Sequence, residues 1–151
     1  MNKKIEQYRE RFLKATNISL ETEVESFSFG DTAEMADELG ELVLQGKKTG
    51  TSSGYDLYAE DETKPYIGQF SIILDSKESP ICVIENINVE TIPFNKVTEE
   101  YARKEGEGDL SLTYWKQAHL DFFPRYYKNE LGIDFNETHC IIFEEFKVVF
   151  T

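Results

Sequence analysis

The residues of this chain best suited to chemistry are a lysine, a hydroxyl and a carboxylate. The lysine and the hydroxyl are Lys48 and Thr51, within Gly46-Lys47-Lys48-Thr49-Gly50-Thr51. The carboxylates lie in Glu105-Gly106-Glu107-Gly108-Asp109-Leu110-Ser111, just ahead of Leu112-Thr113-Tyr114-Trp115. A desolvated lysine amine can take the proton of a hydroxyl. The hydroxyl can then attack an acyl carbon, and a carboxyl group can hand a proton to the leaving amine. The same three groups can also simply hold a polar ligand. Gly106 and Gly108 let the acidic segment turn sharply and approach whatever it binds. Several of these residues also have plainer roles. Lys48 follows a helix end, where positive charge suits the dipole, and Asp109 precedes a helix start, where negative charge does. Thr51 is an ordinary β-prone residue. Glu105 has no such scaffold role in the sequence.

Glu105, Glu107 and Asp109 form a dense acidic group, but no accompanying Asp or His set completes a cation site. Neither a metal nor an organic cofactor is expected. His119 falls one turn after Trp115 on a helix face, which suggests a packed, satisfied histidine. His139 opens a strand and reads as a surface residue. Trp115, Phe122 and Phe123 read as core, while Tyr114 suits either the core or a ligand face.

These groups need elements to position them. Residues 3–15 carry Ile5, Tyr8, Phe12 and Leu13 at helical spacing. Ser26-Phe27-Ser28-Phe29 alternates as a short strand does. Asp31 and Glu34 resemble a capping box, and a helix should follow to about residue 45, stopped by Gly46. Residues 48–53 suggest an irregular strand, in which Gly50 supplies the bend that brings Lys48 and Thr51 together. Residues 69–75 and 81–89 read as a strand, a turn and a return strand, and 140–150 as a last strand. Thr98 caps a short helix and Ser111 a longer one, which Pro124 should kink or restart. The expected class is α+β, with a mostly antiparallel sheet curled into a small β-barrel surrounded by helices. Residues 1–25 should be a helical extension packed on a single globular domain of residues 26–151.

The chain has 151 residues, 40% of them hydrophobic, which is enough for one domain with a real core. Its net charge of -13 disfavours non-specific binding to phosphate backbones. DNA is not an expected partner, although Lys47, Lys48, Arg103 and Lys104 could form a local basic patch. No apolar run suits a membrane span and no secretory signal opens the chain, so a cytoplasmic location is expected. Cys82 and Cys140 lie far apart in apolar stretches and read as buried, reduced thiols. The sequence does not set an oligomeric state.

Taken together, these segments resemble the ASCH domain family, in its bacterial branch with an extra N-terminal helix. The resemblance rests on the helix before Gly46-Lys47-Lys48-Thr49, on Ser71-Ile72-Ile73-Leu74-Asp75 with Cys82-Val83-Ile84-Glu85, and on the acidic-glycine segment leading into Ser111-Leu112-Thr113-Tyr114-Trp115. It implies a PUA-like β-barrel. It also implies an RNA or small nucleoside-like ligand, since the family was proposed to bind RNA. Some members remove acyl groups from N4 of cytidine, and at least one is linked to cleavage of single-stranded RNA. Of the general motif Gly-x-Lys-x-x-Glu-x-Arg, Gly46 and Lys48 match, while Thr51 and Ser53 stand at the Glu and Arg positions. The amidohydrolase members carry Lys-x-x-Thr, which Lys48 and Thr51 match, and their catalytic glutamate aligns with Glu105. Gly54-Tyr55 and Leu120 depart from the aromatics of that branch. The resemblance thus implies Lys48, Thr51 and Glu105 as catalytic residues, and Lys47, Ser53, Asp109 and Tyr114 are the expected ligand contacts. The alternative is a non-catalytic module that binds RNA or a modified nucleotide. A protein-interaction domain using the acidic surface is a third reading.

Overall fold

The computed structural model describes residues 2–151. Four α-helices and five strands occur in the order α1 (Lys3–Ala15), β1 (Val24–Phe27), α2 (Ala33–Leu44), β2 (Gly50–Gly54), β3 (Phe70–Leu74), β4 (Pro80–Pro93), α3 (Glu99–Glu105), α4 (Leu112–Tyr126) and β5 (Cys140–Phe150). The fold is α+β, as its sequence pattern implies. The strands form one sheet in the order β1-β3-β4-β5-β2. β3 pairs antiparallel with β4, and β2 antiparallel with β5. β1 pairs with β3 in parallel.

The sheet is open, which corrects the expected closed barrel. Alternation along a strand fixes which face is buried; it does not fix strand direction or whether the ends of a sheet meet.

By contacts the chain forms two compact units. The first comprises Met1–Lys47, Ile67–Ile87 and Phe146–Thr151. In it, the Asn2 side chain caps α1 by accepting the Ile5 N–H, and Ile5, Tyr8, Phe12 and Leu13 are buried. They pack with Val24, Ile72, Leu74 and Val83. A second cluster joins Leu39 and Val43 of α2 to Phe29, Ile73, Cys82, Ile84 and Phe146. The helix cap is Thr32, one residue after the expected Asp31, because the Thr32 hydroxyl is the group that accepts the Met35 N–H. Cys82 and Cys140 are both free thiols; Cys82 is buried as expected, whereas Cys140, at the start of β5, is only half-buried.

The second unit comprises Lys48–Tyr66 and Asn88–Glu145. Its core is aromatic: Phe94, Trp115, Phe123 and Tyr127 pack with Val97, Ala102 and Ile141. Burying each large side chain stabilises the fold by roughly 1.5–3 kcal/mol. Ser111 caps α4 by accepting the Tyr114 N–H. α4 runs through Pro124 without ending, and passes into a π-helical turn at Tyr127–Leu131. Proline removes only its own N–H, and beyond it the Tyr127 N–H reaches the carbonyls of Phe123 and Pro124. Among the described residues no helix is long and apolar enough to cross a membrane.

Candidate functional site

The site lies in the second unit and begins with the end of α3. Gly106 adopts the left-handed conformation at φ +70° and closes the helix, its N–H bonding the carbonyls of Ala102 and Arg103. The last carbonyls of a helix have no partner within it. Here the Lys104 carbonyl accepts the Thr49 N–H at 2.7 Å and the Thr49 hydroxyl at 3.2 Å. The Glu105 carbonyl accepts Lys48 Nζ at 3.2 Å. Lys48 thus sits at the negative end of α3, where a cation is favoured.

Lys48 is 1% exposed. Its Nζ also donates to the Gly50 carbonyl at 2.9 Å and to Glu107 Oε2 at 2.7 Å. Two carbonyls and a carboxylate have no proton to give. Meeting all three takes the three N–H bonds of an ammonium, so Lys48 is charged in this arrangement. β2 begins at Gly50, later than expected, because Lys48 and Thr49 are committed to α3 and not to the strand ladder.

Glu105 is the second buried charge, 2% exposed. Its Oε2 accepts the Trp115 indole N–H at 2.6 Å. Its Oε1 lies 4.0 Å from Lys48 Nζ and 3.7 Å from His119 Nε2. α4 presents Trp115 and His119 one turn apart, with the rings stacked at 4.2 Å and 22°. His119 Nδ1 is 2.8 Å from the Trp115 carbonyl, which can only accept, so Nδ1 carries a proton. Nε2 then faces Ser52 Oγ at 3.3 Å and the Glu105 carboxylate.

Beside this centre, Lys104 bonds Glu145 at 3.2 Å. Burial works against its charge, but the carboxylates of Glu145 and Glu100 outweigh burial and raise its pKa. Tyr101 donates its phenol proton to Glu90, which with burial pushes its pKa up to about 12. Gly108, at φ +60°, passes so close to Tyr114 that an added Cβ would lie 2.5 Å from the ring.

The structure brings Lys48 and Glu105 together with Glu107, Trp115, His119 and Ser52. Thr51 follows the carbonyl that Lys48 bonds and is half-buried, and strand alternation turns it to the face opposite Ser52. Ser53 shares a hydrogen bond with Tyr58 at 2.9 Å. Asp109 is exposed, and its hydrogen bonds to Ser111 lower its pKa. Tyr114 is also exposed. Lys47 is exposed, with its N–H on the Leu42 carbonyl. Among the described residues none of these five joins the cluster by a side-chain hydrogen bond. Sequence reasoning left Ser52 unremarked and treated His119 as packing. The available signal was the i, i+4 pairing of Trp115 with His119, which puts a polar ring on the edge of an apolar stripe. Among the described residues no group of three or more His, Cys, Asp or Glu could hold a metal ion.

The open five-stranded sheet and its helices place the domain in the α+β class. The chain belongs to the ASCH domain family, whose model matches residues 25–150. The ASCH domain from Lactobacillus crispatus JV V101 is 32% identical, with a TM-score of 0.90 over 100% of this chain and 97% of that one. Protein EF3133 from Enterococcus faecalis V583 is 34% identical, with a TM-score of 0.90 over 99% of this chain and 90% of that one. Hypothetical protein PH0355, at 12% identity and a TM-score of 0.55 over 84% of this chain and 100% of that one, shares the fold alone. No curated protein matches the chain.

Proposed function

We propose that this ASCH domain hydrolyses a small nucleoside-like amide, with N4-acylated cytidine as the substrate class. The observation that carries the reading is the buried Lys48–Glu105 pair beside a strand of hydroxyls. A solvent-excluded carboxylate lies here within reach of an indole N–H, an ammonium and an imidazole, the company a proton relay needs. In this reading a deprotonated Lys48 takes the Thr51 proton as Thr51 attacks the acyl carbon, the proton passes from Lys48 to Glu105, and Glu105 gives it to the exocyclic amine as the C–N bond breaks. Water then cleaves the acyl ester. Lys48 enters as an ammonium. To take the Thr51 proton it must first shed one, and Glu107 at 2.7 Å is the acceptor in place. Ser53, Asp109 and Tyr114 would hold the nucleoside.

The test is steady-state release of cytidine from N4-acetylcytidine. Glu105→Gln, Thr51→Ala and Lys48→Ala should each slow it by roughly a hundredfold or more. Their losses should not add, since residues acting as one unit fail together. Binding of the nucleoside without turnover would move the reading to a non-catalytic nucleotide-binding module. Absence of both binding and turnover would end it.

A further inference from the structure

Ser52 and His119 are the one hydroxyl and the one imidazole that the described residues bring within hydrogen-bond reach of each other, at 3.3 Å. An activated nucleophile needs a base at that range and a third group that orients the base. The orienting group is present, because the Trp115 carbonyl accepts His119 Nδ1–H at 2.8 Å and fixes the proton on that nitrogen. In the neutral ring Nε2 is then the acceptor, and it faces Ser52 Oγ. The stack on Trp115 holds the ring plane. Glu105 Oε1, 3.7 Å from Nε2, is placed to stabilise an imidazolium once it forms. The ammonium of Lys48, by contrast, spends its protons on three acceptors in this arrangement. Of the two neighbouring hydroxyls, Ser52 is the one with a base already in position.

We propose that Ser52 and His119 form a nucleophile–base pair that accepts an acyl group, with carboxylic esters and amides of small acids as its substrate class. The proposal rests on reading this centre as an acyl-transfer site, and it adds Ser52 as a second acyl acceptor beside Thr51. As Ser52 Oγ bonds to the acyl carbon, its proton passes to His119 Nε2. The bond from the acyl carbon to the leaving oxygen or nitrogen then breaks, and the Nε2 proton goes to that atom. Water attacks the acyl-serine, giving a proton to Nε2. The ester bond breaks, the free acid leaves, and Ser52 regains its proton from Nε2.

The probe is p-nitrophenyl acetate, incubated with the full chain and quenched in acid. Fragmentation of the peptide spanning residues 50–54 by mass spectrometry distinguishes acetyl-Ser52 from acetyl-Thr51. The expected result is acetyl on Ser52, with a nitrophenol burst that His119→Asn slows by roughly a hundredfold or more. His139→Asn should leave the burst in place, since His139 Nδ1 is occupied with the Asn136 N–H. Acetyl on Thr51 alone, acetyl on Ser52 that forms as fast in His119→Asn, or no acetylation of β2 in the folded wild type would each overturn the proposal. The wild-type mapping needs no variant to fold. Acetylation of Ser52 without turnover of N4-acetylcytidine would uphold the pair while rejecting the nucleoside amide as substrate.

Discussion

Replacing Lys48 by Met keeps an unbranched apolar stem, one atom shorter, and removes one charge and three donors. The Gly50 and Glu105 carbonyls each lose a partner, at 2.9 and 3.2 Å. The Glu105 carboxylate, 2% exposed, keeps its bond to Trp115 but loses its nearby cation. Glu107 is 21% exposed and can turn to water. Removing one partner of a buried charge pair costs about 3–5 kcal/mol, and the partial exposure of Glu107 places this case near 3. With a urea slope of about 2 kcal/mol per molar, the unfolding midpoint should drop by roughly 1.5 M with the slope unchanged. A domain of about 5–15 kcal/mol total stability still folds. Lys47→Met, on an exposed neighbour, should stay within about 0.5 kcal/mol of wild type. In a double-mutant cycle with Glu107→Gln, the coupling should exceed about 1 kcal/mol. A loss below about 1 kcal/mol for Lys48→Met would refute the assignment of a buried ammonium that caps α3.

Other consequences are open to direct measurement. Gly108→Ala puts a Cβ 2.5 Å from the Tyr114 ring at φ +60°, so thermal melts should show a loss of about 1–3 kcal/mol. Tyr114→Ala in the same chain should recover part of that loss; no recovery would mean that the backbone conformation alone is responsible. Tyr101 has its pKa raised from 10.0 to about 12 by the bond to Glu90, so it contributes stability that is full below pH 10 and lost as pH rises toward 12. The advantage of wild type over Tyr101→Phe in urea melts should therefore shrink across that window, and a constant advantage would contradict it. Burial pushes the Cys82 thiol up to about 12. An aromatic disulfide reagent near pH 8 should leave Cys82 unmodified in the folded protein while half-buried Cys140 reacts, and both should react in denaturant. Prompt labelling of native Cys82 would argue against its place in the core.

The helices were legible because their signals are local. The stripe of Ile5, Tyr8, Phe12 and Leu13 and the cap at Ser111 each lie within a few residues of chain. The open sheet was not legible, since the parallel pairing of β1 with β3 joins segments some 46 residues apart and leaves no mark in either. Lys48 and Glu105 stood out by type and by glycine context. Their actual connection, an ammonium on the terminal carbonyl of α3, depends on the left-handed turn at Gly106 and spans 57 residues. Chain proximity places Lys48 at the end of α2, whereas its charge caps α3. His119 was read as packing, and it does pack on Trp115. Its Nε2 becomes visible as a working atom only once β2 brings Ser52 to it.

The central claim is that the buried carboxylate of Glu105 does chemistry as well as holding the fold. Glu105→Gln isolates the two roles, because the amide oxygen can still accept the Trp115 N–H while the group can no longer exchange a proton. The decisive measurement is single-turnover conversion of N4-acetylcytidine to cytidine by wild type and Glu105→Gln, followed by chromatography, with folding of both confirmed by circular dichroism. The account predicts cytidine from the wild type and a rate lower by roughly a hundredfold or more in the folded variant. Equal rates in the two proteins, or no cytidine from the wild type, would contradict it.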